Sequence, residues 1–223
     1  MTKTVLMTGA TGMVGGQVLD LLLDHPEVGK VVSIGRRGAG VTHPKLREIV
    51  HADFLDLSPL EAKLAGIDVC FHCLGVYQGQ VSKDAFFEIT CDYQKALTDT
   101  LAKASPEATF VLFGAQGADP SEKSPALFAR AKGRAETLLH AAGFPKTYIF
   151  RPGYIQPTGP RRPSGLAYTV LLPVATALFK VFPGIGVSDR QLALAMVRTG
   201  LEAEAPAGTF ANPEIRRIAA SVS

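Results

Sequence analysis

Gly9-Ala10-Thr11-Gly12-Met13-Val14-Gly15-Gly16 constrains the fold more than any other stretch, because of what lies on either side of it. Before it, Thr4-Val5-Leu6-Met7-Thr8 is β-branched and apolar without a helical period, as expected of a strand buried on both faces of a parallel sheet. After it, Val14, Val18, Leu21 and Leu22 recur at helical spacing. Strand, glycine turn and helix in that order are what a dinucleotide site requires. Glycine lets the backbone approach a pyrophosphate, and the unpaired amides and dipole of the helix start favour its charge. The spacing is G-x-x-G-x-x-G rather than G-x-G-x-x-G, and its context favours a nucleotide site over a purely structural turn.

The alternation of strands and helices continues. Lys30 to Ile34 predicts a second strand, Glu48 to Ala52 a third, and Ile67 to Leu74 a fourth that Gly75 stops. Ser58 and Glu61 predict a capping box for a helix running to Leu64. Residues 84–104 predict one long helix, Thr109 to Phe113 a fifth strand, Pro125 to Ala142 a helix started by Ser124-Pro125 and stopped by Gly143, and Thr147 to Phe150 a sixth strand. Asp189 to Leu201 predicts the last helix, and Thr209-Phe210 a short strand. The pattern predicts an α/β fold with a doubly wound parallel sheet, a Rossmann fold, in one domain over residues 1–223. Residues 156–187 predict a small substrate-covering, lid-like region, whose uncharged run from Leu166 to Phe179 is too short and too proline-interrupted for a transmembrane segment.

The tip of the second strand is Gly35-Arg36-Arg37. An acid there would bond the ribose 2′-hydroxyl of NAD, whereas arginine accommodates a 2′-phosphate, so the expected cofactor is NADP(H). A net charge of +3 without a basic stripe gives no reason to expect nucleic acid. Three cysteines, an odd count, agree with a reducing compartment, and with no signal peptide evident the expected location is cytoplasmic. Cys70 and Cys73 look like a metal motif, but on a strand they point to opposite faces, so no metal is expected.

The glycine turn, Gly35-Arg36-Arg37, Asp53-Phe54, His72-Cys73-Leu74-Gly75, Lys132-Gly133 and Arg151-Pro152-Gly153 together resemble the short-chain dehydrogenase/reductase superfamily. The match is to its atypical members, most closely the branch that contains the Tat-interacting protein, and it covers residues 3–155, roughly two thirds of the chain. The resemblance implies that Gly9, Gly12 and Gly15 line the pyrophosphate with the amides of Met13 and Val14. It further implies that Arg36 meets the 2′-phosphate, Asp53 the adenine amino group, and Leu74 and Gly75 the ribose. Lys132 would hold the nicotinamide ribose, and Pro152, Gly153, Tyr154 and Ile155 would flank the nicotinamide. Thr11, Arg37 and Phe54, adjoining these positions, complete the expected cofactor set.

The chain departs from that superfamily at its chemistry. Four residues before Lys132, where the catalytic tyrosine is expected, stands Phe128, and the serine region after strand five reads Gly114-Ala115-Gln116. Phenylalanine cannot supply the proton that carbonyl reduction consumes. Three functions follow as expectations: an NADP(H)-dependent regulator or interaction module; a reductase or isomerase with a relocated acid; or a nucleotide-sugar or other non-redox binder. For the second, Tyr77 and Tyr154 are the candidate acids, with Gln116 polarising the carbonyl beside Lys132. The partner would be a small-molecule substrate or a protein, and the chain a monomer or homodimer.

Overall fold

The computed structural model describes residues 2–159, 179, 183–202 and 206–221. The uncharged run and most of the expected lid lie outside the described residues.

Seven strands form one sheet in the order β3-β2-β1-β4-β5-β6-β9, every pair parallel. The strands are β1 (Lys3–Thr8), β2 (Val28–Gly35), β3 (Leu46–Val50), β4 (Val69–His72), β5 (Thr109–Phe113), β6 (Lys146–Phe150) and β9 (Gly208–Phe210). β1 is an interior strand, paired with β2 on one side and β4 on the other. Its alternate residues enter different cores: Val5 and Met7 pack with α1 (Met13–Asp24) and α5 (Asp189–Leu201), and Leu6 packs with Phe54, Leu57 and Leu97 on the other face. Helices thus cover both faces, which is why the strand carries no polar alternation. The doubly wound expectation stands, and the chain reverses direction across the sheet between β1 and β4, where such folds open a ligand crevice.

Several local expectations need correction. The Ser58–Glu61 capping box does not form: Asp56 Oδ1 accepts from the Ser58 amide at 2.9 Å and its hydroxyl at 2.6 Å, and Ser58–Leu64 is a 3₁₀ helix. The side-chain oxygen two residues upstream offers the serine a closer partner than the first turn does. The expected long helix is α2 (Lys83–Phe87), a π turn (Glu88–Asp92) and α3 (Tyr93–Ala104) in succession. α4 begins at Leu127, two residues after the proline, because Ser124 Oγ accepts from the Ala126 amide at 3.2 Å and holds the preceding turn. Its end is as expected, with Gly143 at φ +76°.

Unanticipated elements sit at the far edge. β7 (Tyr154–Gln156) and β8 (Gly186–Ser188) make a two-stranded parallel ladder, and α6 (Asn212–Ala220) follows β9. Ser188 caps α5 by accepting from the Gln191 amide at 3.0 Å, while Gln191 Oε1 accepts from the Ser188 amide at 2.9 Å. The buried Asp189 carboxylate then accepts from the amides of Thr158 (3.1 Å), Gly159 (3.4 Å) and Arg190 (2.8 Å) and from the Thr158 hydroxyl. The chain that leaves β7 is thereby tied to the start of α5.

Candidate functional site

The glycine turn is built by backbone contact. Gly9 has φ +76°, and a Cβ added there would lie 2.5 Å from the Cys73 carbonyl carbon and oxygen. A Cβ on Gly15 would lie 2.1 Å from the Gly9 oxygen. These two glycines let the loop after β1 press against the loop after β4 and let α1 start immediately above it. Gly12 and Gly75 differ. Gly12 would bring its Cβ only to 3.2 Å from the Gly9 oxygen, and Gly75 would meet nothing within 4 Å. Both border an open crevice, and a side chain at either would fill it. Gly12 caps α1 without a side chain and the first turn has no acid, so the early amides of Met13, Val14 and Gly15 present unpaired N–H groups and the positive helix end.

The crevice has two compartments that share Gly12, Cys73, Leu74 and Gly75. The first, about 480 Å³, is lined by Gly9, Thr11, Ser33, Ile34, Gly35, Arg36 and Arg37 among others. Both arginines are exposed and no carboxylate lines it among the described residues. Asp53 and Phe54 do not line it. Asp53 Oδ1 accepts from the Leu55 amide at 3.0 Å, and Phe54 is only 2% exposed, stacked on Tyr93 at 5.5 Å. A local string cannot tell which way an aromatic at a strand exit will turn; here it turns into the core.

The second compartment, about 530 Å³, brings together Met13, Val14, Gly15, Phe128, Lys132 and the run from Pro152 to Ile155, together with Tyr77, Ala115 and Gln116. Phe128 stacks on the buried Phe86 at 6.2 Å in a small apolar cluster and presents an aromatic wall. Lys132 is half-buried, and burial lowers its pKa. Tyr77 is 39% exposed. Tyr154 donates its hydroxyl to Gln156 Oε1 at 2.9 Å and sets its ring against Phe179 at 5.7 Å. Gln116 donates its backbone N–H to the Pro152 carbonyl at 2.9 Å, and its Oε1 lies 2.3 Å from where a Cβ of Gly153 would be.

Behind Lys132 lies polar structure that sequence reasoning missed. A void of about 10 Å³, enough for about one water, is bordered by His72, Thr90, Gln94 and Lys132. His72 Nδ1 pairs with Thr8 Oγ1 at 2.9 Å, and burial drives the imidazole pKa down to about 3. Cys73 and Cys91 are buried, and desolvation raises each thiol to about 12. Cys70 and Cys73 enter different cores. One helical turn beyond Lys132, the buried Glu136 takes a two-pronged ion pair from Arg151, with Nε to Oε1 at 2.8 Å. The i, i+4 spacing of Lys132 and Glu136 was a visible signal, but its partner at the end of β6 was not.

Comparison with known proteins agrees with this geometry. Residues 5–143 match the NAD dependent epimerase/dehydratase family. The protein fmp52-1, mitochondrial, of Aspergillus terreus is 31% identical over 220 residues, covering 92% of each chain. Rattus norvegicus HTATIP2 is 31% identical over 155 residues, 69% of this chain and 63% of that protein. Among solved structures, a UDP-N-acetylglucosamine 4-epimerase from Methanobrevibacter ruminantium superposes with a TM-score of 0.71 at 18% identity, covering 94% of this chain and 76% of that one. The Bordetella bronchiseptica enzyme WbmG, solved in complex with NAD, gives 0.70 at 15% identity, covering 95% and 72%. These names correct the cytoplasmic expectation, since fmp52 relatives from several fungi are named mitochondrial. Reduced thiols do not separate the cytosol from an organelle that also keeps them reduced. No helix of the described residues is long and apolar enough to cross a membrane.

Proposed function

We propose, from the premise that this chain belongs to the NAD dependent epimerase/dehydratase family as an atypical short-chain dehydrogenase/reductase, that it binds NADP(H) without the superfamily's ordinary carbonyl-reducing step. The observation that carries the reading is the pairing of Arg36 and Arg37, with no carboxylate among the described residues, in one compartment and Phe128 beside Lys132 in the other. Arg36 and Arg37 offer guanidinium forks to a 2′-phosphate. The first-turn amides of α1 take the pyrophosphate, with Gly12 and Gly75 leaving it room. Lys132 donates to the nicotinamide ribose hydroxyls, and Pro152 to Ile155 flank the ring. When bound, the dinucleotide supplies a hydride. What the superfamily's two catalytic positions withhold is the acid: Phe128 has no acidic proton and Ala115 no hydroxyl, and His72 is neutral at physiological pH. The function that suits such a site is that of a single dinucleotide-binding unit whose loaded state is read by a partner.

Calorimetric titration tests the cofactor. NADPH should bind at least about tenfold more tightly than NADH, from a charge-assisted contact of roughly 1.5 to 3 kcal/mol. Equal affinities would sink the preference. A panel of aldehydes and ketones should leave NADPH oxidation at the uncatalysed rate.

A second reading, a reductase with a relocated acid, has in its favour that Tyr77 and Tyr154 both line the second compartment. Robust NADPH-dependent turnover of an ordinary ketone, abolished by Tyr77→Phe or Tyr154→Phe, would establish it in place of the first.

A further inference from the structure

The second compartment is larger than a nicotinamide ring needs, and its described lining has a definite chemistry. Met13, Val14, Val76, Phe113, Phe128 and Ile155 supply its apolar surface and Tyr77, Gln78, Gln116 and Tyr154 its neutral polar groups; among the described residues Lys132 is its one cation, and no carboxylate or imidazole borders it. Phe128 stacks on the buried Phe86 and packs against its cluster, so an aromatic ring borders the compartment. An aromatic face favours a planar ring lying against it. A lone ammonium in an apolar setting favours a delocalised anion.

These features select among hydride acceptors. An aliphatic ketone that takes a hydride becomes an alkoxide, far too basic to form without a proton donor. A quinone that takes a hydride, two electrons and one proton, loses both carbonyl π bonds as its ring becomes aromatic, and one oxygen ends as the hydroxyl and the other as the anion of a hydroquinone monoanion. That anion is a phenolate, conjugate to an acid no weaker than tyrosine, which ionises near 10. It forms without an enzyme acid and collects its second proton from water, while the dinucleotide is oxidised.

We propose that the second compartment accepts a planar quinone beside the bound nicotinamide, with Phe128 as its stacking wall and Lys132 as counter-ion to the hydroquinone anion. This rests on the NADP(H) reading above. The residue that removes ordinary carbonyl chemistry is, on this assignment, the one that recognises the acceptor. Lys132 serves both ligands because an ammonium has three donors.

The test separates the two readings. NADPH binding to the full chain is measured first by calorimetry. The NADP⁺-saturated protein, which cannot turn over, is then titrated with 2-hydroxy-1,4-naphthoquinone, an anion at neutral pH, and with neutral 2,3-dimethyl-1,4-naphthoquinone. The anion should bind about tenfold more tightly, the scale of one charge-assisted contact. Lys132→Met should remove that preference, and Phe128→Ala should weaken both ligands at least about fivefold while keeping it. The neutral quinone should also oxidise NADPH at least about tenfold above the uncatalysed rate, by hydride transfer without a protein acid. NADPH binding with neither naphthoquinone bound overturns the quinone assignment and leaves the cofactor reading standing. Equal binding of anion and neutral ligand overturns the role of Lys132. Failure to bind NADPH overturns both readings.

Discussion

An added methyl group has opposite consequences at Gly15 and Gly75. At Gly15 it would enter the Gly9 carbonyl, so Gly15→Ala should destabilise the fold by about 3 kcal/mol, the upper range for overpacking, as read by chemical denaturation. At Gly75 it meets open crevice, so Gly75→Val should leave the unfolding free energy within about 0.5 kcal/mol of the parent, as for surface changes generally, while removing NADPH binding. A Gly75→Val protein that binds NADPH normally would mean the crevice is not the cofactor site. At position 128 the missing hydroxyl can be returned. Phe128→Tyr with Ala115→Ser should gain weak aldehyde reduction, each single variant less, because an acid contributes typically ~10²- to 10⁴-fold and an oxyanion donor ~10²- to 10³-fold. Stopped-flow NADPH absorbance with an aldehyde panel reads this directly.

Among the elements, the β7–β8 ladder depends on a side chain outside it. Asp189 is fully buried and takes donors from Thr158, Gly159 and Arg190. Asp189→Ala leaves those donors unpaired and should cost roughly 2 to 3 kcal/mol. Protease sensitivity should rise between residues 154 and 159, and Thr158→Val should produce a smaller version of the same change. How far such elements can be read from sequence depends on where their partners lie. β1 and α5 are legible because burial on both faces, or an apolar period, writes itself locally. β7 and β8 have three residues each and exist because residue 154 meets residue 186, a pairing with no local signature. The same division holds at the site. Gly9, Gly12, Gly15, Arg36 and Lys132 are visible as motif positions that border the crevice. Glu136 and Arg151 become a pair only once β6 ends beside α4. Phe54 misled because its motif position says nothing about the direction of its ring.

For the molecule as a whole, the buried imidazole sets an acid limit. His72 has its pKa lowered to about 3 by burial, against 6.5 when unfolded, so the unfolded chain binds more protons between those values. Stability is therefore fully present above pH 6.5 and falls as pH drops toward 3, by about 2 kcal/mol at pH 5 from this group. Urea denaturation at pH 7 and pH 5 checks it: His72→Phe should lose stability at both values but show a shallower fall between them. An unchanged slope would mean that His72 does not carry the effect.

The outermost strand carries a further consequence. Arg151 donates its amide to the Phe210 carbonyl at 2.8 Å, and Gly153 donates its amide to Asn212 Oδ1 at 2.9 Å. The turn that borders the second compartment of the crevice is therefore held by residues some sixty positions further along the chain. During synthesis the glycine turn, Arg36 and Lys132 can all be in place on a six-stranded sheet while residues 151–155 still lack their anchor. A nascent chain released through residue 200 should hold the adenylate half of a dinucleotide and fail to order the other. Binding of a whole dinucleotide should thus require that synthesis has passed Asn212.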